Sequence, residues 1–173
     1  MYYFCAVKNL ILIFLIGFCS TTFGQSLPDT LISVEKTDRI CEAGLDIDSC
    51  SFMPLYKSLY NWLGTPYKYA GNSKKGIDCS AFTKAVIYEA YEYKLKGSSR
   101  DIFKKCIAVD EKELFEGDLV FFKINKSQVS HIGVYLQDGY FVHASVSRGV
   151  MINNLSESYY KKYFFSGGRI TKS

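Results

Sequence analysis

Apolar residues recur along the chain with two different periods, and each period predicts its own kind of element. Phe52, Leu55, Leu59, Trp62 and Leu63 fall on one face of an amphipathic helix that Gly64 and Pro66 bring to an end. Phe82, Ala85, Val86 and Ala90 repeat the helical spacing directly after Gly76-Ile77-Asp78-Cys79-Ser80, with Asp78 placed as an N-cap. Ser98 or Ser99 is positioned to cap a short helix reaching Lys105. Strands are expected near 119–123, 131–136, 140–145, 149–153 and 164–170, with a short helix near 156–162.

Residues 25–51 are polar with little periodicity and read as an N-terminal extension ahead of a domain over residues 52–173. The first 24 residues carry Lys8, then the apolar run Leu10 to Phe18, then small and polar residues. That order predicts a secretory signal, with Thr22-Phe23-Gly24 offering small residues for cleavage before Gln25. Cys19 raises the alternative of a lipid-anchored lipoprotein, although Phe18 ahead of it fits lipobox cleavage poorly. Membrane association is expected only through such an anchor.

Register places the two histidines. The runs His131 to Leu136 and Tyr140 to Ser145 flank Gln137-Asp138-Gly139, a hairpin turn with glycine where positive φ is needed. A three-residue loop pairs 136 with 140 and therefore 133 with 143. His131 and His143 then become diagonal neighbours on one face, about 7–8 Å apart by general sheet geometry. An even-length loop would put them on opposite faces.

Cys79, at the start of its helix, supplies the candidate nucleophile. A thiol with an ordinary pKa near ~8.5 needs help to become a thiolate, and a helix N-terminus and a neighbouring imidazolium both give it. One histidine can take the thiol proton while the other holds its ring in the right tautomer. Each residue alone is more simply a small core residue or a structural imidazole. One Cys and two His also raise a zinc site, but their spacings of 52 and 12 residues match no compact ligand motif and no fourth ligand is evident.

Composition narrows the classes. At 173 residues with 48% hydrophobic and 16% aromatic residues, the chain suits one cored domain plus an export signal. Its formal charge of +4, or +3 once Lys8 leaves with the signal, is mild and scattered. The pairs Lys104-Lys105 and Lys161-Lys162 are isolated, so nucleic-acid binding is not indicated. Cys41 and Cys50 bracket an eight-residue polar loop and could form a local disulfide in an oxidising compartment. Cys106 reads as a buried helix-end residue, or as the odd thiol left over.

With these residues in view, the stretch from about Leu55 to Ile170 resembles the NlpC family of bacterial cell-wall cysteine peptidases. The matching pieces run in order: Gly64-Thr65-Pro66-Tyr67-Lys68-Tyr69-Ala70-Gly71, Lys74-Lys75-Gly76-Ile77-Asp78-Cys79-Ser80, Glu116-Gly117-Asp118-Leu119-Val120-Phe121-Phe122, Ser130-His131-Ile132-Gly133-Val134-Tyr135 and Phe141-Val142-His143-Ala144-Ser145. The resemblance implies a papain-like α+β domain with the nucleophile helix packed on an antiparallel sheet. It implies Cys79 as nucleophile, His131 as general base and His143 as the residue that orients it. Tyr67 would stand beside the nucleophile to help the oxyanion, and Asp78 and Ser80 would shape the substrate cleft.

Three departures stand out. Ala70 and Ala81 replace usual glycines, and Gly97-Ser98-Ser99-Arg100-Asp101-Ile102 lacks the arginine and glutamine of an Arg-Ser-Thr/Ser-x-x-Gln motif, leaving Lys96 or Arg100 to supply a cation. The resemblance implies a monomeric, cofactor-independent hydrolase of peptidoglycan peptides. Two scissile bonds are carried over, the D-alanyl to diaminopimelate cross-link and the γ-D-glutamyl to diaminopimelate stem bond. A catalytically silent wall-binding module is the alternative of a different class, and it would be marked by loss of the nucleophile or base.

Overall fold

The computed structural model describes Leu45, residues 51–124 and residues 127–171. The expected signal, the N-terminal extension, Cys19 and the Cys41–Cys50 pair lie outside the described residues. In chain order the elements are α1 (Met53–Trp62), β1 (Asn72–Ser73), β2 (Gly76–Ile77), α2 (Cys79–Tyr91), α3 (Ser99–Phe103), β3 (Ile107–Val109), a 3-10 turn (Glu111–Glu113), β4 (Leu119–Phe122), β5 (His131–Tyr135), β6 (Tyr140–Ser145), β7 (Gly149–Asn154), α4 (Ser158–Tyr163) and β8 (Phe164–Arg169).

The large sheet has the order β3-β8-β4-β5-β6-β7, and every neighbouring pair is antiparallel. Because side chains alternate across a strand, each face of this sheet needs its own cover. Phe121, Ile132, Val134, Val142 and Ala144 join Leu55, Leu59, Phe82, Val86 and Ile87 of α1 and α2 in one core. Val120, Phe122 and Phe141 pack with Leu155 and Tyr160 in a second core on the opposite face. Strand β4 is therefore buried on both sides, which explains its unbroken apolar run Leu-Val-Phe-Phe. Each fully buried side chain of this size contributes about 1.5–3 kcal/mol by leaving water.

Several motif residues turn out to hold the frame. Glu116 accepts from the Phe52 N–H at 2.7 Å and the Tyr56 hydroxyl at 2.9 Å, tying α1 to the turn before β4. Asp118 receives the Arg169 guanidinium through two hydrogen bonds of 2.9 and 2.7 Å, which locks that turn onto β8. Glu89 of α2 accepts from Ser58 and the Trp62 indole of α1. The Glu116-Gly117-Asp118 motif thus fixes how the helices meet the sheet.

The expected helices and the five expected strands are present, with bounds within a few residues. Short β3 and the β1–β2 hairpin carry too few residues to show a period and were not anticipated. The buried face of α2 is wider than the expected stripe: Thr83 and Ile87 are fully buried while Ala85 is only half-buried. Cys106 follows α3 and donates to the Ile102 carbonyl at 3.3 Å, a helix-end position as expected, but it is half-buried and not buried as expected.

Candidate active site

Asp78 begins the site. Its backbone is extended and its carboxylate accepts from the Ala81 N–H at 2.8 Å, so α2 starts at Cys79 with a side-chain cap of about 1 kcal/mol. The Ser80 hydroxyl donates to the same carboxylate oxygen at 2.8 Å. Asp78 and Ser80 therefore hold one another, and Cys79 is set in the first helical turn.

The hairpin joining β5 and β6 has the anticipated register. Val134 pairs with Val142 and Tyr135 with Phe141, so position 133 faces 143, and Gly139 sits at φ 82° in the turn. The pairing stops there. The alternation that gives the Leu136 N–H to the Tyr140 carbonyl would next engage Val134 and then Ile132, yet no β5–β6 pair forms beyond Val134. The Ile132 N–H instead acts on the Cys79 thiol and favours its thiolate. Helix α2, packed on β5 and β6, thus delivers its first residue to the place where the two strands part.

The imidazoles are in direct contact. His131 Nε2 lies 2.7 Å from His143 Nδ1, and both rings are buried, at 5% and 2% exposure. Gly133 makes the contact feasible: a Cβ there would meet the Val142 carbonyl oxygen at 2.7 Å and His143 Cβ at 3.2 Å. Beyond His143 the chain of contacts continues. Its Nε2 lies 3.0 Å from Asn153 Oδ1 and 3.0 Å from the Tyr160 hydroxyl, which itself donates to Asn153 Oδ1 at 3.1 Å. Asn153 Nδ2 donates to the Glu157 carboxylate at 2.9 and 3.0 Å.

That order of partners assigns the protons. A carboxylate accepts only, so Glu157 fixes Asn153 with its amide nitrogen outward and its oxygen toward His143. His143 must then carry its proton on Nε2 and present a lone pair at Nδ1. His131 donates Nε2–H to that lone pair, which leaves His131 Nδ1 unprotonated and available as a base. Asn153, Tyr160 and Glu157 were missed in the sequence. The signal was present but needed the second hairpin: Phe141 pairs with Asn153 and His143 with Met151, putting Asn153 on the histidine face.

Burial governs the charges at rest. It pushes the Cys79 thiol up to about 11, with the Asp78 carboxylate adding to the rise and the N–H groups of Ile132, Ser80 and Cys79 itself opposing it. His131 is pushed down to about 3 by burial and then by His143, and His143 to about 4, again chiefly by burial. The expectation of a thiolate favoured by the helix end is thus outweighed in the resting site by desolvation. Among the described residues Cys79 forms no hydrogen bond with His131; the two are linked through Ile132. Proton transfer between them would create both charges together, each compensating the other.

Tyr67 completes the set. It bridges to Ile77, and its phenol is raised by burial and by the nearby acidic groups of Cys79 and Asp78, so it stays protonated and able to donate. The Gly64–Thr65 segment that leads to it is hydrogen-bonded along Val150 of β7. A cavity of about 350 Å³ opens over the histidines, lined by Ser145, Ser147, Arg148, Glu157, Tyr159 and Tyr160 among others. Among the described residues no group of three or more His, Cys, Asp or Glu side chains is arranged to hold a metal ion.

Known proteins share this arrangement of elements. The NlpC/P60 family matches residues 64–169. The probable endopeptidase NlpC of Escherichia coli K12 is 37% identical over 117 residues, covering 67% of this chain and 76% of that one. A murein DD-endopeptidase MepS/murein LD-carboxypeptidase from the same strain is 36% identical over 110 residues, covering 64% of this chain and 58% of its own length. The crystal structure of an NlpC/P60 family protein from Bacillus cereus superposes with a TM-score of 0.64 at 31% identity, over 73% of this chain and 42% of that one. The fold, with its helix-borne cysteine and paired strand histidines, and the match over residues 64–169 together show that the chain belongs to the NlpC/P60 family, a papain-like fold.

Proposed function

We propose that the chain is an exported cysteine endopeptidase that hydrolyses the D-alanyl to diaminopimelate cross-link of peptidoglycan. The observation that carries the chemistry is the ordered run from Glu157 through Asn153 and His143 to His131, ending in a basic nitrogen beside the strand opening where Cys79 sits. A silent binding module would be marked by loss of the nucleophile or base, and neither Cys79 nor His131 is missing.

In the proposed cycle Cys79 Sγ attacks the substrate carbonyl while its proton passes to His131 Nδ1. The oxyanion is met by the N–H groups at the start of α2 and by the Tyr67 hydroxyl. His131 gives its proton to the departing amine, and the acyl group stays on sulfur as a thioester. Water then adds to the thioester, its proton going to His131; the carboxylic acid leaves and the thiol is restored.

The cross-link assignment draws on one relative, which is named a murein DD-endopeptidase/LD-carboxypeptidase. The test is digestion of purified muropeptides with the products identified by mass. Dimers falling to monomers with intact tetrapeptide stems support it. Cleavage only between D-glutamate and diaminopimelate shifts the assignment to the stem bond and leaves the catalytic residues as proposed.

A further inference from the structure

The β6–β7 turn contributes to the histidine cavity a cation that the reaction itself does not use. Ser145 and Ser147, 3.4 Å apart between hydroxyls, and Arg148 form one wall. The Arg148 guanidinium donates to the Tyr160 hydroxyl, which anchors it at the cavity edge, and it acts electrostatically on His143. Among the described residues it forms no salt bridge. Glu157, the carboxylate lining the same cavity, is instead engaged by the Asn153 amide and the Asn154 N–H. Of the cations expected to replace the missing arginine, Lys96 lines a separate cavity of about 100 Å³ with Cys106 and Ile170, and Arg100 lines neither.

The proton route decides which half of the substrate reaches this wall. Cys79 does not line this cavity, so the acyl half it would hold as a thioester lies outside it. The leaving amine receives its proton from His131, so its carbon and that carbon's substituents lie on the histidine side. We infer that Arg148, with the Ser145 and Ser147 hydroxyls, binds a free carboxylate on the carbon that bears the leaving amine. A guanidinium is suited to such a group because its fork of donors matches both carboxylate oxygens.

This inference rests on the cross-link reading and gives it a physical reason. In a D-alanyl to diaminopimelate cross-link the leaving amine belongs to the D-centre of diaminopimelate, whose own carboxyl is not in a peptide bond. In the γ-D-glutamyl to diaminopimelate bond the corresponding carboxyl is amide-linked to the next residue, unless the stem ends there. A carboxylate-binding arginine therefore favours the first bond in tetrapeptide stems.

The experiment compares wild type, Arg148→Ala and Arg148→Lys on cross-linked dimers whose D-centre carboxyl is free or amidated. Amidation should lower wild-type kcat/KM about 10–100-fold, the range for losing a hydrogen-bonded charge partner. Arg148→Ala should be equally slow on both dimers, and Arg148→Lys should keep part of the preference. Thermal unfolding of all three should coincide, because Arg148 is exposed. Wild type indifferent to amidation, or Arg148→Ala slowed by the same factor on both dimers, overturns the assignment. If dimers resist and only stems are cut, the cross-link reading fails by itself, and Arg148 is judged on tripeptide against tetrapeptide stems. A tripeptide preference lost in Arg148→Ala sustains it; no preference overturns it. If nothing is cut, binding of the two dimers to wild type and to Arg148→Ala reads the same difference.

Discussion

His131 Nε2 and His143 Nδ1 stand 2.7 Å apart, and the proton between them belongs to His131 because Glu157, two residues further along the network, turns Asn153 to accept from His143. His131→Ala removes the base, so kcat/KM should fall by about 10²–10⁴-fold or more, the usual span for a positioned acid–base group. His143→Ala and Asn153→Ala should cost less, because each removes orientation and leaves the reacting nitrogen. Steady-state kinetics on a muropeptide substrate would measure the series. A His143 variant more damaged than His131→Ala would reverse the two roles.

Cys79→Ala and Cys79→Ser should both abolish hydrolysis while folding normally. The thiol lies on the first turn of α2, whereas the packing that holds the helix comes from Phe82, Val86, Ile87 and Ala90. Circular dichroism and a thermal melt would check the fold. A Cys79→Ala protein that melts as wild type yet still releases peptide would remove the thiol from the mechanism.

Gly133→Ala tests the spacing between the rings. The added methyl would meet backbone at the Val142 carbonyl and the root of the His143 side chain, neither of which can swing away. Overpacking of this kind costs about 1–3 kcal/mol. The expected outcome is a lower unfolding midpoint together with a loss of activity larger than the fraction unfolded explains. Full activity at a normal midpoint would show that the ring contact is not required.

Stability should depend on pH through the buried histidines. Burial holds both well below their ordinary value of 6.5, so the unfolded chain binds protons that the folded one refuses below that pH. Their contribution is complete above about pH 6.5 and is lost as pH falls below it, at up to about 1.4 kcal/mol per pH unit for each histidine. Urea unfolding at pH 7 and pH 5 should give a lower midpoint at pH 5. In the double variant His131→Gln with His143→Gln the difference should shrink, and an unchanged difference would assign the acid sensitivity elsewhere.

How much of this was legible in the sequence depended on whether a signal was local. The cap at Asp78, the odd-length turn at 137–139 and the alternation around each histidine are properties of short segments, and together they placed the two imidazoles on one face. The strand opening at Ile132 is not local, since it depends on where β5 and β6 part company. Asn153, Tyr160 and Glu157 needed the register of a second hairpin and the docking of α4, and Arg148 lies in a turn with no period to betray it. Burial, the cause that outweighs the helix end at Cys79, is a property of the assembled cores and has no local sequence signature. Ala70 shows the reverse case: it takes φ 55°, where a glycine would be unstrained, so an alanine that looks like a small change in sequence is a backbone cost in the fold.

The central claim is that Cys79 opens peptidoglycan cross-links, and side-by-side digestion of intact peptidoglycan by wild type and Cys79→Ala, with soluble products identified by mass, tests it most directly. The account predicts that wild type converts D-alanyl-diaminopimelate dimers to monomers and that Cys79→Ala leaves them whole. Dimers left intact by wild type, or lost equally with the alanine variant, would contradict it.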